Sequence, residues 1–90
     1  MKIIVKKWED FVRLSSSGGK IFYNYEQVGR SMTFNEKILT VSLSVFLVSD
    51  NVYVYSEKKD VKSEEFEGYL KDWNEKISSL NLPAFQGKVE

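Results

Sequence analysis

Residues 38–58, ILTVSLSVFLVSDNVYVYSEK, decide the fold. Leu39, Val41, Leu43, Val45 and Leu47 recur at every second position, the pattern of a strand with one face on a core. The alternate row, Thr40, Ser42, Ser44, Phe46 and Val48, begins polar and ends apolar. Asp50-Asn51 predicts a two-residue hairpin loop, because both residues tolerate positive φ. That loop sets Val48 opposite Tyr53, Leu47 opposite Val54 and Phe46 opposite Tyr55. It gathers Phe46, Val48, Tyr53 and Tyr55 on a second face, the expected interaction surface. A three-residue loop shifts the pairing by one and carries Tyr53 and Tyr55 to the leucine face instead.

C-terminal to the hairpin the apolar period becomes helical. Phe66, Tyr69, Leu70, Trp73, Ile77 and Leu80 fall within an arc of roughly 100° at helical spacing. Ser63 is the expected N-cap, Glu64 and Glu65 suit the positive end of the helix dipole, and Glu67–Lys71 and Asp72–Lys76 have the favoured i, i+4 order. Asn81 and Pro83 end the helix. Residues 83–90 read as a tail, either mobile or adding a short edge strand.

N-terminal to the hairpin, residues 2–7 carry Ile3, Ile4 and Val5 and predict a first strand. Trp8, Phe11 and Val12 then predict a short helix over 8–16, stopped by Gly18-Gly19 and lacking a capping side chain at Lys7. Residues 20–27 predict a strand with Ile21, Tyr23 and Tyr25 on one side and Phe22, Asn24 and Glu26 on the other. Gly29 marks a turn before a shorter strand at 31–35, and Asn35-Glu36-Lys37 turns into the long strand. The expected fold is α+β, one domain over 1–82: an antiparallel sheet of four to five strands with a short N-terminal helix and a long C-terminal amphipathic helix packed on one face, in the order β-α-β-β-β-β-α.

The chain has 90 residues, 42% hydrophobic and 14% aromatic, so some of its rings are expected at a surface. Thirteen basic and thirteen acidic residues cancel, which removes the general attraction to phosphate of most nucleic-acid binders. Cysteine and histidine are both absent. Thiolate catalysis, histidine bases and the usual zinc sites are thereby excluded, and no metal or cofactor is expected. The first residues do not resemble a leader, since Lys6, Lys7, Glu9 and Asp10 follow a very short apolar run, and no stretch is apolar enough to span a bilayer. A soluble cytoplasmic protein is the expectation. Alanine occurs only at Ala84 while Lys, Ile, Asn and Tyr are abundant, a composition of AT-rich coding sources such as phages, archaeal viruses and mobile elements.

Residues 15–20, SSSGGK, superficially match a phosphate-binding loop. Leu14 stands in place of the leading Gly and Ile21 in place of the magnesium-holding hydroxyl, so the segment reads as a helix stop. The acids Glu64, Glu65, Glu67, Asp72 and Glu75 alternate with Lys71 and Lys76 and read as a solvated helix face. Trp8 and Trp73 fall on the apolar stripes and read as core anchors. The order of helix, strands and helix resembles that of the double-stranded RNA-binding domain, which implies an α+β fold. That family's lysine-rich start of the last helix is replaced here by Ser63-Glu64-Glu65-Phe66, so its phosphate contacts do not carry over.

The sequence thus favours a non-enzymatic module acting by protein–protein contact as a homodimer, through the second face of the hairpin or the last helix. The alternative is a single-stranded nucleic-acid binder, with Tyr23, Tyr25, Tyr53 and Tyr55 stacking bases and Arg30, Lys58, Lys59 and Lys62 holding phosphates.

Overall fold

A computed structural model describes residues 2–87. Strand β1 (Lys2–Ile4) leads into helix α1 (Trp8–Ser15), then the long strands β2 (Lys20–Thr33), β3 (Glu36–Val48) and β4 (Val52–Lys62), helix α2 (Phe66–Ser78) and strand β5 (Ala84–Gln86). The strands form one sheet in the order β1-β4-β3-β2-β5. The α+β class and the two helices are as the sequence predicts. Both helices lie on one face, where Phe11, Trp73 and Ile77 share a core with Leu43, Val45 and Leu47.

The sheet is mixed, not purely antiparallel, because β1 runs parallel to β4 and β5 parallel to β2. The cause is the position of the helices in the chain: a helical crossover brings the chain back to the end of the sheet where the preceding strand began. β1 and β2 flank α1, β4 and β5 flank α2, and all four strands run one way while β3 alone opposes them.

The region from residue 20 to 35 also differs from expectation. Residues 20–33 form one strand, so the expected strand at 31–35 is not separate, and Gly29 marks a β-bulge where the pairing with β3 shifts between Gln27 and Gly29. The extra residue exchanges the faces, so that Arg30, opposite Leu39, continues the row that holds Tyr23 and Tyr25. The turn into β3 is made by Phe34 and Asn35, at φ +47° and +68°, between paired Thr33 and Glu36. Two successive positive φ values are the pattern of the type I′ hairpin loop. With the 20–33 strand continuous and Ala84–Gln86 added as an edge, the order becomes β-α-β-β-β-α-β. The expected tail at 83–90 therefore contributes β5, and its residues 88–90 lie outside the described residues.

The β3–β4 hairpin takes the three-residue loop. Val48 pairs with Val52, Leu47 with Tyr53 and Val45 with Tyr55. Neither Asp50 nor Asn51 has positive φ, and the Ser49 N–H donates to the Asn51 carbonyl at 3.0 Å. Tyr53 and Tyr55 consequently stand beneath the helices, and the expected grouping of Phe46, Val48, Tyr53 and Tyr55 on one face is not formed. Packing explains the shift. Tyr55 meets Trp8, Trp73 and Phe11 at ring-centroid distances of 5.4, 6.1 and 6.5 Å, contacts that the other register would give up.

Helix ends differ in detail. Ser63 does not cap α2; it opens a single 3₁₀ turn, Ser63–Glu65, ahead of the helix, and no side chain caps either helix N-terminus. Gly18-Gly19 ends α1 as expected, at φ +95° and +128°, and Gly19 is tightly placed: a Cβ there would meet the Val48 carbonyl oxygen at 2.8 Å. Asn81, at φ +58°, ends the α2 region in left-handed conformation.

Among the described residues Phe34 is the one bulky residue in that conformation, and it is 95% exposed, so burial does not offset the backbone cost. Phe34→Asn is expected to raise stability by about 0.5–1 kcal/mol, since asparagine tolerates positive φ at little cost. Urea denaturation checks this. An unchanged or lower midpoint would mean that Phe34 makes a stabilising contact.

Candidate functional site

The structure separates the residues that the sequence suggested would act together. Tyr23, Tyr25, Tyr53 and Tyr55 all stand on the helix-covered face, half-buried against the core. The Tyr25 hydroxyl donates to Asn74 Oδ1 on α2 at 2.7 Å, and the Tyr55 hydroxyl donates to Glu57 Oε2 at 3.2 Å. Burial, reinforced by neighbouring Tyr23 and Tyr69, pushes the Tyr25 phenol up to about 12. Burial beside Glu57 also raises Tyr55, and burial raises Tyr69. These phenols are tied into the packing of α2 on the sheet.

The basic residues are divided as well. Lys59 lies on the covered side, with Nζ 5.7 Å from the Tyr69 ring centroid. Lys58 and Lys62 are on the opposite face, and Lys62 Nζ is 3.5 Å from Glu36 Oε1. Arg30 is exposed near the far end of β2. A platform of stacked rings with lysines at its margin is therefore not assembled from these residues.

What the structure does assemble is an apolar row on the open face. Ile4 pairs with Val54, Val54 with Phe46, Phe46 with Phe22 and Phe22 with Phe85, one residue from each of the five strands. At strand spacings near 4.8 Å the row crosses about 20 Å of sheet. Phe22 and Phe85 pack at 5.3 Å between centroids, and Lys2 Nζ lies 5.7 Å from the Phe46 ring centroid. Phe46 at the centre is only 9% exposed, while the ends of the row are open, Ile4 at 78% and Phe85 at 46%.

The neighbouring rows have different chemistry. Toward the β3–β4 loop, Val52 and Val48 extend the apolar band between Lys2 and Lys20. On the other side Asn24, Ser44 and Ser56 form a polar row, with the two serine oxygens 3.2 Å apart. Beyond it lies the row Glu26, Ser42, Lys58, charged at both ends.

Of the surface expected from the sequence, Phe46 and Val48 belong to this face, whereas Tyr53 and Tyr55 do not. Ile4, Phe22, Val54 and Phe85 are its unanticipated members. The signal for two of them was present: Phe22 alternates with Asn24 and Glu26, and the one-residue shift that buries Tyr55 exposes Val54. A second exposed apolar group, Met32 and Phe34, sits at the β2–β3 turn. Among the described residues no group of three or more Asp and Glu is placed to hold a metal ion. Comparison with protein-family models, curated proteins and solved structures finds no match to this chain.

The tyrosines give a pH prediction. A phenol whose folded-state pKa lies above its unfolded value of about 10 favours the folded state in its protonated form. Stability is therefore fully present below pH 10 and declines as pH rises from there toward about 12, the value for Tyr25. Urea midpoints measured between pH 8 and 11 are expected to fall above pH 10, and less so in Tyr25→Phe. Equal alkaline sensitivity in the two proteins would contradict the role of Tyr25.

Proposed function

We propose that this chain is a small non-enzymatic module that acts by protein–protein contact, as a homodimer, through the open face of its sheet. The observation that carries the reading is the row Ile4–Val54–Phe46–Phe22–Phe85. An apolar band continuous across the five strands, widened by Val48 and Val52 between Lys2 and Lys20 and bordered on the other side by Asn24, Ser44 and Ser56, has the composition of an interface centre with a polar rim. The size of the chain supports it too, because a domain of 90 residues buries a modest fraction of its surface and gains from a partner.

Nucleic-acid binding draws less support. Its four tyrosines lie against the helices, and its basic residues are spread over both faces.

Light scattering on a size-exclusion column tests the proposal. The wild-type chain is expected to elute as a dimer at high micromolar concentration, and Ile4→Lys, at an exposed end of the row, as a folded monomer. A wild-type chain that stays monomeric and captures no protein would overturn the reading. Salt-sensitive binding of an oligonucleotide by that monomer would favour the nucleic-acid alternative.

A further inference from the structure

We infer that the partner on the open face is a second copy of this chain, packed sheet to sheet about a two-fold axis that runs along β3. The inference rests on the proposal of open-face contact and specifies its geometry. β3 is the central strand of the five and the only one of its direction, so a two-fold parallel to it reverses the strand order while each row faces its own counterpart. Isologous interfaces require this kind of self-complementarity.

The rows have it in both shape and charge. In the apolar row, Ile4 and Val54 lie on one side of Phe46, and Phe22 and Phe85 on the other. Reversal sets aliphatic against aromatic: Ile4 meets Phe85 of the second copy, Val54 meets Phe22, and Phe46 meets Phe46. Large and small side chains then interdigitate, as packed sheet faces about 10 Å apart require. The two most exposed members of the row, Ile4 and Phe85, cover each other.

Two rows away, reversal of Glu26–Ser42–Lys58 places Glu26 of each copy opposite Lys58 of the other. Both residues are exposed, and neither has an ion-pair partner among the described residues. The other two-fold in the plane of the interface, perpendicular to the strands, fits worse. It sets Ile4 on Ile4 and Phe85 on Phe85, and turns Val48 and Val52 onto the row of Ser44 and Ser56.

Charge exchange tests the arrangement. Glu26→Lys places lysines opposite each other twice per dimer, and Lys58→Glu does the same with acids. Each single variant is expected to raise the dimer dissociation constant about tenfold in sedimentation at low salt, and the double variant Glu26→Lys/Lys58→Glu to return it to near the wild-type value. Mixing the two single variants is expected to yield heterodimers well above the statistical half, read by native mass spectrometry, since every facing pair is then opposite in charge. If the single variants dimerise like wild type and mix statistically while Ile4→Lys is monomeric, the two-fold along β3 is wrong and open-face contact stands. A monomeric wild type removes both.

Discussion

Tyr55 packs among Trp8, Phe11 and Trp73, and the side of the sheet on which it stands fixes the face of every other residue on β4. Side chains in a strand alternate strictly, so choosing Tyr55 for the core also chooses Tyr53 and Val61, and sends Val52, Val54 and Lys58 to the open side. The competing register has only a preferred two-residue loop in its favour. Each well-placed ring pair contributes roughly 0.5–1.5 kcal/mol beyond its buried area. Tyr55 makes three such contacts in the observed register, which outweighs a loop preference of about 1 kcal/mol, the scale of single-residue turn effects.

The consequence extends to both helices. Trp8 stacks on Phe11 within α1 at 5.4 Å and meets Trp73 of α2 at 5.2 Å, so the ring cluster joins α1, α2 and β4 at one point. With the tyrosines drawn inward, the apolar residues left outside line up as one band across the five strands. Which β4 residues join the core and which join the open face follow from the same choice of register.

Much of this was legible in the sequence because periodicity reports burial directly. The leucine and valine row of β3, the α2 stripe and the glycine stop after α1 all follow from local pattern. The register was not legible, because its two versions differ only in which non-local neighbours Tyr55 meets, and Trp8 and Trp73 lie far from it in the chain. Gly29 reads equally well as a turn or a bulge, and the strand at β2 alone does not say which. β5 has three residues, too few for a period, and takes its conformation from pairing with Ile21, Phe22 and Tyr23. The candidate surface inherits these limits: Phe46 and Val48 were identified, whereas Ile4, Val54 and Phe85 required the register and the edge strands.

The central claim is that the ring cluster sets the β3–β4 register and thereby places Val54, not Tyr55, beside Phe46 in the apolar row. Cross-strand backbone NOEs measure that register most directly. The account predicts contacts linking Val45 with Tyr55 and Leu43 with Glu57, together with side-chain contacts from Tyr55 to Trp8 and Trp73. Contacts linking Phe46 with Tyr55 and Val48 with Tyr53 would contradict it, and would place the tyrosines on the open face.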